Sequence, residues 1–395
     1  MESKPDIRTS LFFVTFVFTV VYQIGDYSLW GFYSSLRWLF RYSALLFSML
    51  LLLLSISKFN GKDIKMIFFA LVLTVIVGQL SSSKTELLLL FALVLGAKDI
   101  PFKNIVKVHF IISLCCCLLN MVGSEMGMTM PPNSIGSERE SSIFEDFVAR
   151  KDFGYLWATD YATHVFFILL DYWILWNGRL RIIEVIACLY IAYFVLINTD
   201  ARFSFICILL ILLLTLFLFL VRKYEVRFGK VAGYLLILSI PILAILSLYA
   251  TMSYDPSNIY WFLANEISSS RLSLGNDAII EYGLPLFGQT VVFYGWGNED
   301  ISHAYDYVDS SYVQYSIKWG IILMSIIIYA FYRIAKSAFR RNDLSLLFAL
   351  VLAGIAGVIT QFLFYFGYCI LLLALFASHS EYDAKGQIIE DEVTR

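Results

Sequence analysis

What this chain has little of excludes most protein classes before any motif is read. Charged side chains make up 15% of its 395 residues, against about 25% in a soluble domain, so an ordinary water-soluble globule is ruled out. Proline (7) and glycine (22) are too few for a fibrous or low-complexity chain. Neither sign of charge prevails: 29 Lys and Arg against 31 Asp and Glu leave a net charge of −2, so no nucleic-acid partner is expected. The six cysteines (115, 116, 117, 188, 207 and 369) all lie inside apolar runs, which argues against a disulfide framework or a thiolate metal site. No phosphate-binding glycine loop, dinucleotide fingerprint or His/Cys metal spacing occurs, and the four histidines (109, 164, 303 and 379) are far apart. No cofactor or metal is therefore expected, and nucleotide-driven chemistry is not indicated.

What the chain does have is hydrophobicity: 59% apolar residues and a mean hydropathy of +0.75. A membrane-crossing helix needs about 20 apolar residues. Twelve runs approach that: 10–24, 42–57, 65–81, 85–97, 105–123, 160–177, 181–198, 203–221, 232–251, 311–332, 343–359 and 361–378. They are rich in Leu and Phe and show no period-two alternation, so helices and not a barrel are expected. The fold class read here is all-α, a polytopic transmembrane bundle of about twelve spans forming a single integral membrane domain over 1–395. The run after Met1–Arg8 has no small-residue cleavage pattern, so it reads as a retained helix and not a signal peptide. With the N-terminus in the cytoplasm and the spans alternating, 20 of the 29 Lys and Arg fall on the cytoplasmic side. This predicts an N-in, C-in topology, with residues 379–395 as a cytoplasmic tail. Trp30, Trp38, Trp157 and Trp261 then fit an aromatic belt at the outer interface.

Two segments, 124–159 and 252–310, interrupt the rhythm of short connections, and both fall on the outer side. Outer loops of this length are where function concentrates, and both are expected to contain short helices. The second carries many acids and one base, Arg271. Ser268–Ser270 read as N-caps, Arg271–Tyr282 as a helix, and Gly283 with Pro285 as its stop. Arg271 then sits on a first helical turn, where the helix dipole does not favour a cation, so it needs a partner: an acid of the loop, or an anion that its fork clamps. His303 is the only histidine of the outer loops and reads as a general base or a solvated side chain. Asp309 is a candidate base or the N-cap of the next helix. In the apolar run that follows the first loop, His164 and Asp171 are seven residues apart and share one helix face. An ionisable group as deep as Asp171 is a functional candidate or a buried structural pair. Arg150 and Arg202, from separate regions, complete an outer set of arginines with Arg271.

Several of these residues resemble the Wzy-type polymerases of O-antigen, capsule and exopolysaccharide assembly. The likeness rests on Arg150–Gly154 entering a span, on Thr199-Asp200-Ala201-Arg202-Phe203-Ser204 before another, and on Arg271 with Leu286-Phe287-Gly288, Val308-Asp309-Ser310-Ser311-Tyr312 and Gly320. Two positions depart from that pattern, Asp160 and Ser310, where such proteins tend to carry Asn. The resemblance implies a metal-independent glycosyltransferase of the bacterial inner (plasma) membrane. Its donor is an undecaprenyl-diphosphate-linked oligosaccharide, its acceptor a lipid-linked repeat unit, and a chain-length regulator protein is an implied partner. Arg150, Arg202 and Arg271 are then the candidates for holding the diphosphate, and Arg271, Asp309 and His303 for catalysis, with Asp309, His303 or Glu281 serving as the base. His164, Asp171, Glu281 and Tyr312 would support them. The neighbouring readings are an O-antigen ligase of the same architecture, in which His303 weighs more, and a lipid-linked-sugar flippase or other transporter. Transporters spread polar groups over many spans, whereas here they gather in two loops.

Overall fold

A computed structural model describes residues 6–129, 138–140, 147–226, 228–295 and 305–380, and of 31–35, 62, 138–140 and 147–149 the backbone alone. The apolar runs fold as helices because, without water, only internal pairing satisfies the backbone. They are α1 Ile7–Gly25, α2 Gly31–Ile56, α3 Gly61–Leu80, α4 Lys84–Gly96, α5 Phe102–Glu125, α6 Ala158–Leu175 and α7 Ile182–Thr199. They continue with α8 Arg202–Lys223, α9 Lys230–Ile237, α10 Ser239–Met252, α11 Ile259–Ile267, α12 Arg271–Tyr282, α13 Ser311–Arg340 and α14 Leu344–Ile359. Among the described residues, seven helices (α1, α2, α3, α5, α7, α8 and α13) are long and apolar enough to cross a membrane, eight if the bent pair α9–α10, which turns by 60°, counts as one. Their outward faces fit a lipid surface: Leu213, Leu216 and Phe219 on α8, like Ile182, Ile183 and Ile186 on α7, are exposed, forming an apolar surface unsuited to water.

Alternate helix ends gather at two opposite ends of the bundle. At one end, Trp30 donates to Asn120 Oδ1 at the end of α5 (2.7 Å), Arg41 of α2 to Thr85 of α4 (2.8 Å), and Ser311 N of α13 to Thr360 O after α14 (3.1 Å). At the other, Arg8 of α1 donates to Gly96 O of α4 (3.1 Å) and Phe102 N of α5 to Ser378 O (2.9 Å). We refer to the first as the arginine end, because Arg271 and Arg150 lie there.

Two expectations about the spans need correction. The run 361–378 is no α-helix. It holds only two short 3-10 turns, Phe362–Phe364 and Leu371–Leu375, yet it leads from Thr360 at the arginine end to Ser378 at the other, buried for nearly its whole length. Non-helical backbone at such depth is tolerated only inside protein, and side chains help here: Gly367 N donates to Gln23 Oε1 of α1 (2.9 Å) and Leu363 N to Ser311 Oγ (3.2 Å). Aromatic packing does the rest, with Phe362 and Tyr368 stacked at 3.8 Å and Tyr27 edge-on to Phe362 at 4.9 Å. Hydropathy cannot distinguish this crossing from a helix, because both are apolar. The second correction concerns the first loop. Among its described residues it contains no helix; instead Glu138–Glu140 (β1) pairs antiparallel with Phe147–Ala149 (β2). The second loop does hold short helices, α11 and α12. Residues 381–395 of the expected tail lie outside the described residues.

α6 is the interior helix, with nearly every residue buried. α13 breaks at Gly320 (φ +81°), which frees the amides that follow it. Ile321 N donates to Pro285 O (2.9 Å), Ile322 N to Leu286 O (3.2 Å), and Gln289 N to Lys318 O (3.0 Å). Gly288 (φ +85°) faces the break so closely that a Cβ on it would lie 2.5 Å from Lys318 O, and one on Gly320 would lie 2.6 Å from Leu286 O. The Leu286-Phe287-Gly288 turn and Gly320, 32 positions apart in sequence, thus form one close backbone contact that moors the second loop to the bundle.

Candidate functional site

The helix expected at Arg271–Tyr282 is α12, and Gly283 ends it with φ +69°. It starts at Arg271 as expected, but its capping differs. Ser270 precedes the helix in the left-handed region (φ +64°), and its hydroxyl caps nothing. The cap comes from Asn265 at the end of α11, buried, whose Oδ1 accepts from Ser273 N (2.9 Å) while its carbonyl accepts from Ser270 N (2.9 Å). α11 thereby sets the start of α12 and aims Arg271.

The guanidinium of Arg271 is fully engaged. Nη2 lies 3.0 Å from Asp309 Oδ2, Nε donates to Ile359 O (3.1 Å), and Nη1 to Ser268 O (2.9 Å). Ile359 is the last residue of α14, whose C-terminal carbonyls carry partial negative charge. The cation therefore tolerates the start of its own helix because it meets the end of another. Asp309 does not cap α13: the N-cap position belongs to Ser310, whose hydroxyl contacts Ser247 (3.2 Å). Burial raises the Asp309 carboxyl above its ordinary value, and the Arg271 guanidinium draws it partly back. Tyr305 lies within electrostatic reach of Asp309, Arg271 and Asp160, and burial raises its phenol as well.

Asp160, on the first turn of α6, is buried and lies within electrostatic reach of Asp309 and Arg150. Of these four charged groups, Arg271 and Asp309 are in direct contact, and Asp160 and Arg150 act at longer range. Arg150 donates from Nε to Thr199 O (2.7 Å), and the neighbouring Lys151 N to Asn198 O (2.8 Å), so the incoming chain is laid against the end of α7. Arg202 is near this corner in sequence, but its side chain is 44% exposed and pairs with Asp200 (3.3 Å). Of the three arginines expected to converge, Arg271 pairs with Asp309, Arg150 is bonded to Thr199 O within electrostatic reach of Asp160, and Arg202 pairs with Asp200 at the rim.

The remaining candidates separate. His303 lies outside the described residues. Glu281 is exposed near the far end of α12, about 15 Å along the helix from Arg271 at 1.5 Å per residue. It lines a small cleft with Asp277, Asp306 and Tyr305 instead. Tyr312 is fully buried and its hydroxyl donates to Gly354 O of α14 (3.0 Å), a packing role. His164 Nδ1 bonds the hydroxyl of Tyr155 (2.5 Å), and its ring lies 4.8 Å from that of Tyr368. Asp171 pairs with His109 of α5, whose Nε2 lies 3.2 Å from Ser113 Oγ. Sequence reading missed His109, Asp160 and Asn265 as partners. Only the shared face of His164 and Asp171 hinted that α6 has a polar side; nothing in spacing could pair it with α5.

Compared with protein-family models, with curated proteins and with solved structures, the chain matches none.

Proposed function

We propose that the protein is a polysaccharide polymerase that joins undecaprenyl-diphosphate-linked repeat units at the outer face of the bacterial plasma membrane. The observation that carries this reading is the Arg271–Asp309 pair at one end of a bundle of apolar helices, with Asp160 within electrostatic reach of both Asp309 and Arg150. The reaction needs positive charge where a lipid diphosphate leaves and a base where a sugar hydroxyl loses its proton. Both are present, in contact, where apolar helices offer a surface to polyprenyl tails.

In this reading the donor diphosphate competes with Asp309 for the Arg271 guanidinium. As Arg271 turns to the diphosphate, Asp309 loses the neighbour that drew its carboxyl down and becomes the stronger base. The acceptor hydroxyl oxygen attacks the anomeric carbon, its proton passes to Asp309, and the carbon–oxygen bond to the diphosphate breaks. Arg150 adds charge from beyond Asp160, and Arg202 meets the headgroup from the rim.

The test is deletion of the gene in its native host, read as the size profile of surface and lipid-linked glycans. Single repeat units at the surface, restored to a ladder by the gene, support polymerase. Full-length polymer left on the carrier lipid points to the ligase, repeat units held on the cytoplasmic side to a flippase, and an unchanged profile refutes all three.

A further inference from the structure

The most unusual surface outside the site belongs to α11. Its nine residues, Ile259–Ile267, make a helix too short to cross a membrane. Yet five of them, Ile259, Tyr260, Phe262, Leu263 and Ile267, are exposed apolar side chains, Tyr260 by 79% and Ile267 by 86%. At about 100° per residue, Ile259, Leu263 and Ile267 follow one another along a single face, with Tyr260 and Phe262 on its flanks and Glu266 the one charge among them. The opposite face carries buried Asn265 and partly buried Trp261 and Ala264. It is this inner face that meets α12, where Asn265 Oδ1 accepts from Ser273 N (2.9 Å).

An apolar face of this kind is unsuited to water and calls for a cover. Three observations point to lipid. The first is continuity. Ile245, Tyr249 and Met252 are exposed at i, i+4 and i+7 of α10, so an apolar strip of the bundle's outward surface runs to the last turn of α10, and the six residues 253–258 separate it from α11. The second is level. Arg271 of α12 donates to Ile359 O at the end of α14 (3.1 Å), and Asn276 of α12 to Thr251 O at the end of α10 (2.9 Å). A Cβ on Gly275 would lie 2.8 Å from Thr251 Cγ2. The first half of α12 thus runs across the helix ends, and α11, bonded to its start, lies at the same level. The third is composition. No Lys or Arg occurs from Thr251 to Ser270, so apolar area, and not attraction to anionic headgroups, is what seats the helix. Tyr260 suits such a boundary, with an apolar ring and a polar tip.

We infer that α11 lies in the plane of the membrane at the arginine end, with Ile259, Leu263 and Ile267 immersed at the boundary between headgroups and acyl chains. This rests on the bundle lying in a membrane and not on the polymerase reading. For the test, Cys115 and Cys116 are replaced by alanine in the full-length protein, the other four cysteines being buried, and the protein is reconstituted in phosphatidylcholine vesicles. A nitroxide attached through Tyr260→Cys or Ile267→Cys is read for collisions with oxygen, which concentrates in lipid, and with a nickel chelate, which stays in water. Leu216→Cys on α8 and Asp277→Cys on α12, both at exposed positions, give the lipid and water references. The oxygen-to-chelate ratio at positions 260 and 267 should rise several-fold above the Asp277→Cys value, towards that of Leu216→Cys. A ratio at the water reference at either position would overturn the inference. So would few collisions with either reagent, which would mean that a second copy or another protein covers the face. Labels are read in variants that elute as wild type on size exclusion; if Tyr260→Cys does not fold, Ile267→Cys, the more exposed position, decides.

Discussion

Replacing Arg271 by lysine keeps the charge and removes the fork, and replacing it by alanine removes both. The structure assigns this side chain three hydrogen bonds, one to a carboxylate and two to carbonyl oxygens. A lysine ammonium cannot span Asp309, Ile359 O and Ser268 O in that geometry. Loss of a charged hydrogen-bond partner costs about 1.5–3 kcal/mol. The pair is partly open, with side chains 22% and 27% exposed, so solvent screening brings the stability cost of Arg271→Ala to the lower end, about 1–2 kcal/mol. The catalytic cost should be larger. Removing one preorganised donor from a developing anion typically costs about 10²–10³ in rate. Arg271→Lys is therefore expected to leave roughly a hundredth of the polymer at unchanged protein level, and Arg271→Ala none. The assay is the glycan ladder of a deletion strain complemented with tagged variants, each normalised to membrane-bound protein. The double variant Arg271→Ala, Asp309→Ala separates chemistry from folding. If Arg271 only neutralises Asp309, removing both restores the ladder; if the arginine meets the diphosphate and the aspartate the hydroxyl, it stays empty. A normal ladder in Arg271→Ala, or recovery in the double variant, refutes the reasoning.

Other consequences follow from the same geometry. Gly320→Ala places a Cβ against Leu286 O at a positive φ, so it should destabilise the protein by at least about 1 kcal/mol, seen as a lower melting temperature in detergent, and Gly288→Ala should do the same. His109→Ala leaves Asp171 buried without its partner and should cost about 3–5 kcal/mol, whereas replacing both by apolar residues of similar volume should recover most of it; chemical denaturation of the two variants compares them. Asp26, paired with Arg37 at 2.8 Å, is pushed up to about 6, by burial above all. Its folded-state value lies above its unfolded value, so the folded state takes up the proton first. Stability should therefore rise as pH falls from 6 towards 4, by up to about 3 kcal/mol at about 1.4 kcal/mol per unit. Melting temperatures across that range should show the rise in wild type and lose it in Asp26→Asn.

The α12 boundaries were legible in the sequence because glycine and proline mark a helix end whatever surrounds it, and Arg271 stood out as one base among acids. The capping group of α12 was not legible, since three serines looked like caps while the side chain that caps it, Asn265, acts from another helix. Asp309 was readable as cap or base, and only the approach of Arg271 decides that it caps nothing. Glu281 and Tyr312 lie in the same chain segments as the site yet point elsewhere: the helical turn carries the first away, and α14 binds the second.

By itself the sequence determined the class. Scarce charge and long apolar runs leave the backbone no solvent but itself, so helices follow, and the outward faces of α7 and α8 remain apolar. The tertiary structure alone decided that 361–378 crosses without a helix, because its backbone is satisfied by Gln23 and Ser311, side chains hundreds or tens of positions away. It alone decided that Arg271 pairs with Asp309 while Arg202 pairs with Asp200, and that His109 meets Asp171. Such pairings depend on which helix packs against which, a matter of shape and packing that hydropathy, the same on every apolar face, does not record.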